Sequence, residues 1–170
     1  MALKIRLTIL GFWFGAMSTF SAVVAPAAFA VLHSQLLAGS LVSRTLSMVE
    51  YIGIAVGLIL LAIASASVKQ TKLRISEQLL LAVMTLSMVI SHFVISSRLH
   101  EIREQTGNRL ETMPATDPLR VDFQMLHQFS VGLMAFNMTA TLILIFVLIW
   151  RSSPGQKAVR VPKTELLKMD

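Results

Sequence analysis

From Leu7 to Leu32 the chain runs for 26 residues without a charged side chain, and three more apolar stretches follow it. Tyr51 to Val68 is also uncharged, Leu79 to Ser97 carries only His92, and Phe123 to Trp150 carries only His127. A hydrocarbon core of about 30 Å needs about 20 helical residues to cross it. Each stretch therefore reads as a membrane span. In lipid a backbone must satisfy its own hydrogen bonds, and neither alternating strand patterns nor periodic turn signals occur, so the spans are helices.

Composition agrees with that reading. Hydrophobic residues make up 55% of the chain and charged ones 14%, with a mean hydropathy of +0.71. A soluble domain carries about 25% charged residues, so this chain cannot cover a water-soluble globule. The expected fold is all-α: an integral membrane four-helix bundle over residues 1–151, with spans at about 7–32, 47–68, 76–98 and 122–150, and a basic tail over 152–170. The first span has a rival reading. Lys4, Arg6 and Ala28-Phe29-Ala30 imitate a cleaved secretory signal, but the long run with Gly11, Gly15 and Pro26 favours a retained helix.

Charge sets the expected orientation. Ten of the 15 Lys and Arg residues fall at the N-terminus, between the second and third spans, and in the tail; the other five are Arg44, Arg98, Arg103, Arg109 and Arg120. The positive-inside rule then puts both termini in the cytoplasm. The net charge of +6 serves topology here, since no basic stripe interleaves with aromatics as nucleic-acid binding would require. In the tail, Lys157, Arg160, Lys163 and Lys168 suit weak attraction to an anionic leaflet, with a topology signal as the simpler reading. The short connection at Lys69 to Arg74 makes the second and third helices antiparallel neighbours. Thr106-Gly107-Asn108 ends the third helix, and Met113-Pro114 and Asp117-Pro118 mark turns.

Lipid already satisfies apolar surface, so membrane helices meet through small and polar residues. The expected packing positions are Gly11, Gly15 and Pro26 on the first helix, Gly53 and Gly57 on the second, and Ser130 and Asn137 on the fourth. Pro26 should kink its helix and release a carbonyl near Ala22. Asn137 should bond across helices. With both termini inside, His33, Glu50, His92 and His127 converge near the outer surface. Ionisable groups in a membrane usually face protein or water. Such a set offers ligands to a divalent metal, two histidines for a haem, or a proton relay near neutral pH. The plainer reading ranks ahead of these: Ser47-x-x-Glu50 forms a capping box, His33 sits in headgroup water, His92 and His127 bond each other or a carbonyl, and no cofactor is held.

There is no cysteine, so thiolate sites are excluded. No nucleophile–base pair, phosphate-binding glycine loop or zinc-protease motif occurs, which argues against an enzyme. Ten methionines are scattered and read as packing.

Trp13-Phe14-Gly15, then Ala25-Pro26 with Phe29 three residues on, Leu32, Gly39 and Tyr51 resemble the opening of the transmembrane protein 205-like family. Phe123-x-x-Leu126-His127-x-x-Ser130-Val131-x-Leu133 and the region from Val89 through Arg98 to Arg103 extend the resemblance to about residues 9–150. Met134 stands where members often carry Asn, and Asn137 follows three residues later. The resemblance implies a four-helix membrane protein of the bacterial inner membrane, with a relative tied to tolerance of platinum drugs. The function expected is handling or sensing of a metal ion or small solute by a multi-pass, self-associating protein. The alternatives are a haem- or copper-associated redox module and a non-catalytic subunit of a larger complex.

Overall fold

The apolar stretches form four long helices in the computed structural model, which describes residues 2–66, 72–107 and 109–152. Helix α1 comprises Ala2–Thr19, a π-helical turn Phe20–Val24 and Ala25–Val31; α2 is Gln35–Ser65. Helix α3 comprises Lys72–Ile90, a second π-helical turn Ser91–Ser96 and Ser97–Gln105; α4 is Pro118–Ser152. Residues 1, 67–71, 108 and 153–170, which include Lys69 and the basic tail, lie outside the described residues. Among the described residues there is no strand, and all four helices are long and apolar enough to cross a membrane.

Local chemistry explains the helix ends. Ser34 caps α2 by accepting from the Leu37 amide at 3.4 Å, which satisfies one of the orphan donors of a helix start. Helix α2 therefore begins well before residue 47. The charge at Arg44, which bounded the expected span, sits exposed on the helix surface. At α3's end, Gly107 takes a φ of +55° and its amide bonds the Glu104 carbonyl at 3.0 Å. Only a residue without Cβ adopts that conformation cheaply. Asp117 accepts from the Leu119 amide at 2.9 Å, and Pro118 opens α4, where its missing N–H costs nothing.

Pro26 acts through the π turn. Its missing amide cannot bond the carbonyl four residues back, and just before it the Ala25 amide reaches the Phe20 carbonyl instead. One extra residue in the turn absorbs the loss.

The interior draws on every helix. Leu10 of α1, Leu60 and Ala64 of α2, Leu81 of α3 and Leu144 and Leu148 of α4 form one cluster, and Trp13, Met17 and Met88 form another. The most extensive contact is between α2 and α3, and α1 also packs on α4. Outside, the chain is apolar as well: Phe12 is 76% exposed, Phe146 65% and Trp150 70%. So much exposed apolar area is untenable in water. Lipid is the solvent it requires, and the protein is a multi-pass membrane protein.

The faces that meet carry larger side chains than the small-residue rule suggests. On α1 the buried face is Leu10, Trp13, Met17 and Phe20. Gly11 and Gly15 are exposed, and a Cβ at either would meet nothing within 4 Å. Pro26 is exposed too. On α2 the glycines do admit close approach. A Cβ on Gly53 would lie 2.7 Å from Trp13 Cζ2, and one on Gly57 would collide with Thr85. On α4, Ser130 and Asn137 are buried, and the Asn137 amide donates across to Ser87 Oγ of α3 at 2.7 Å and to the Leu133 carbonyl at 2.9 Å.

Candidate functional site

Glu50 is the midpoint residue of α2 and is 2% exposed. It is no helix cap: Ser47 and Glu50 both lie deep within the helix, so the expected capping box does not form. A carboxylate so buried needs donors, since leaving an ionic group unpaired in a low-dielectric interior is costly. Helix α3 supplies them. Ser91 donates to Oε1 at 2.5 Å. Ser96 reaches Oε2 at 3.0 Å and Oε1 at 3.2 Å. His92 Nδ1 lies 3.0 Å from Oε2.

The π turn makes this convergence possible. At 3.6 residues per turn, residues five apart on an α-helix are separated by roughly 140° around the axis. Ser91 and Ser96 would then face different neighbours. The turn Ser91–Ser96 is wound with i→i+5 bonding, which brings residues five apart toward one face. Both hydroxyls and the imidazole between them therefore address one carboxylate. The Tyr51 ring, next to Glu50 on α2, covers the imidazole with centroids 4.0 Å apart, and Phe93 meets it edge-on at 4.8 Å.

The four expected ligands do not gather. His33 is exposed in the short connection between α1 and α2. His127 is on an exposed face of α4, its ring parallel to that of Phe123 at 6.4 Å. Among the described residues no group of three or more His, Cys, Asp or Glu side chains could hold a metal ion. Only Glu50 and His92 come together, and their further partners are hydroxyls. The sequence signal for those partners was a histidine with serines on both sides, Ser91-His92 and Ser96-Ser97, inside an apolar span. Regular α-helical periodicity hid it.

Two other polar groupings escape a reading by spans. Near the end of the bundle where α1 begins and α4 finishes, Glu77 of α3 is 3% exposed and pairs with Arg6 of α1 and, at 3.1 Å, with Arg151 of α4. Each of the three stands within a residue or so of an expected span boundary, where a charge is ordinarily counted as a topology signal. At the opposite end, Arg103 of α3 donates to Ser43 Oγ of α2 and lies 5.0 Å from the Phe123 ring of α4. A cation against an aromatic face is attracted by the ring quadrupole.

In comparison with known proteins, the family model described as Domain of unknown function (DUF4149) matches residues 8–108. That range holds Glu50, Ser91, His92, Ser96 and Arg103 and ends before α4. It supports an uncharacterised membrane-type domain, a coarser statement than the transmembrane protein 205-like resemblance. No curated protein and no solved structure matches the chain.

Proposed function

We propose, from the premise that this chain belongs to the family described as Domain of unknown function (DUF4149), that it is a non-enzymatic, proton-responsive membrane module. The Glu50–His92 pair is its working part, and the module senses or helps handle a small solute. The observation that carries this reading is the 3.0 Å contact between His92 Nδ1 and Glu50 Oε2. An ionised carboxylate only accepts, and an imidazole nitrogen without hydrogen also only accepts. One proton must therefore lie between the two atoms, whichever of them carries it.

Loss or gain of a proton in this pair changes the electrostatics of the α2–α3 contact. Intramembrane ionisable groups of this kind mark proton relays and solute pathways. Ser91 and Ser96 can follow such a change because a hydroxyl both donates and accepts. The pair alone would give a metal two ligands, fewer than the three or four protein ligands of resident zinc sites, so a proton suits this geometry better than a metal ion. The transmembrane protein 205-like resemblance is compatible with solute handling and names no solute.

The proposal includes a bacterial inner-membrane location with cytoplasmic termini, supported by the ten-to-five split of basic residues. It also includes self-association, because four helices leave little room for a solute path within one copy. The exposed Gly11–Gly15 face of α1 would let a second copy approach closely.

Infrared difference spectroscopy of the full chain in vesicles, switched between mildly alkaline and mildly acidic buffer, tests the reading. A carboxylic or carboxylate band that responds to pH and vanishes in Glu50→Gln is expected. A spectrum whose pH response is the same in wild type and Glu50→Gln would sink it.

A further inference from the structure

Where α1 begins and α4 finishes, a cavity of about 230 Å³ opens between the four helices. Arg6 of α1, Arg74 of α3 and Arg151 of α4 line it, with Glu77 of α3 as the single acid among the described residues of its wall. Glu77 is engaged by two of the three, Arg6 and Arg151. Three guanidiniums offer roughly fifteen N–H donors, while one carboxylate accepts about four. With Glu77 fully occupied, donors and positive charge are still in excess. Arg74 and Arg151 both stand near enough to Arg6 to repel its charge, so a further anion would relieve the cluster.

Neighbouring sequence adds to that excess. The stretch 67–73, at the junction of α2 and α3, and the stretch 153–170, after α4, together hold six bases (Lys69, Lys72, Lys157, Arg160, Lys163 and Lys168) and two acids, Glu165 and Asp170. The cluster also differs from charges that merely flank a span. A topology signal needs only to sit at the membrane surface, where its side chain can reach water. Arg6 is 14% exposed and lies against Glu77, itself 3% exposed. Glu77 thereby holds two guanidinium forks in place, which lowers the entropy cost of binding an anion.

We propose that this cavity binds a phosphate group, supplied either by a lipid headgroup or by a soluble phosphate. Arginine forks match the geometry of phosphate oxygens, and basic pockets between membrane helices are a recurring means of headgroup recognition. The volume bounds the guest. At about 30 Å³ per water, the cavity holds the equivalent of roughly eight waters, enough for a phosphate and a short substituent and too little for a nucleotide. Leu3, Ile63 and Leu148 in the wall are apolar and suit the glycerol end of a headgroup. Roughly 20 Å of α3 separates Glu77 from His92, so this site is independent of the Glu50–His92 pair.

Delipidated full chain in neutral detergent is titrated by calorimetry with inorganic phosphate and, separately, with dioctanoyl phosphatidylglycerol. At least one of the two is expected to bind. Arg74→Gln should lower affinity about tenfold or more, as expected for a lost charge-assisted contact. Ser152→Glu sets a carboxylate in the wall and should weaken binding by a similar factor; if Arg74→Gln does not fold, Ser152→Glu decides. Arg98→Gln removes the same charge from α3 outside this cavity and should leave affinity unchanged. Saturation by phosphate alone assigns a soluble ligand, saturation by the lipid alone assigns a headgroup, and saturation by both assigns the phosphate they share. The proposal is overturned if neither probe binds wild type, or if Arg74→Gln or Ser152→Glu binds as well as wild type. It is overturned too if Arg98→Gln loses as much affinity as the cavity variants, since binding would then follow net charge alone.

Discussion

Replacing Glu50 with alanine removes the acceptor for three α3 side chains, at 2.5 Å for Ser91, 3.0 Å for Ser96 and 3.0 Å for His92. Hydrogen bonds between membrane helices average about 0.6 kcal/mol and reach about 1.7 kcal/mol. Three donors therefore set a range of about 2–5 kcal/mol. Two corrections apply. The serine hydroxyls can turn back to carbonyls of their own helix, which recovers part of the loss. The missing side-chain atoms leave a small void, which adds to it. The expected destabilisation is about 2–4 kcal/mol. Reversible unfolding of the full chain in mixed micelles, followed by helicity, measures it. A double-mutant cycle with His92→Ala should return a coupling of about 0.6–1.7 kcal/mol. If Glu50→Ala costs less than about 0.5 kcal/mol, as neutral surface substitutions do, the carboxylate is not the anchor of the α2–α3 contact.

Other substitutions probe the rest of the bundle. Gly53→Val forces its side chain into Trp13, whose Cζ2 would lie 2.7 Å from the new Cβ, and should cost about 1–3 kcal/mol in the same unfolding assay. Gly11→Ala and Gly15→Ala meet open space and should leave the stability of a single copy within about 1 kcal/mol or raise it. Glu77→Gln leaves Arg6 and Arg151 beside a neutral amide. Removing one member of a buried ion pair costs about 3–5 kcal/mol, and since Arg151 is 29% exposed the expected loss is about 2–3 kcal/mol after screening. Because the chain has no cysteine, single-cysteine labelling can test orientation. A cysteine at the exposed His100 position should react with an impermeant reagent from outside intact cells, and one at Lys4 should not; the reverse pattern would refute cytoplasmic termini.

What the sequence made legible follows from the physics of each feature. Charge-free length marks a span directly, and Gly107 and Pro118 act through their own backbone geometry, so helices and several of their ends can be read residue by residue. Facing is harder. In lipid an apolar side chain costs nothing on either side of a helix, so Trp13 and Met17 carried no pattern to distinguish them from exposed Phe12. The glycines of α1 and α2 look alike in sequence, yet only Gly53 and Gly57 are crossed closely by a neighbour. The start of α2 at Gln35 was hidden because Arg44 seemed to belong to a loop.

The site was half legible for a related reason. Glu50 and His92 attract notice as ionisable groups in apolar surroundings. Ser91 and Ser96 do not, because their shared face exists only when the turn between them is π-helical. His33 and His127 carry the same chemical labels as His92, and nothing in a list of residues reveals that one stands in a connection and the other on an exposed helix face. Arg6, Glu77 and Arg151 were invisible as a group for the opposite reason, since charges at span ends already had an explanation.

The proposal that Glu50 and His92 share a proton is tested most directly by nitrogen NMR of imidazole-labelled protein in lipid bilayers, with the four histidines assigned by single substitution to glutamine. The His92 Nδ1 resonance should show a hydrogen bond to a carboxyl oxygen and should shift in Glu50→Gln, while His33 and His127 stay in place. A His92 signal that is indifferent to Glu50→Gln would contradict the account.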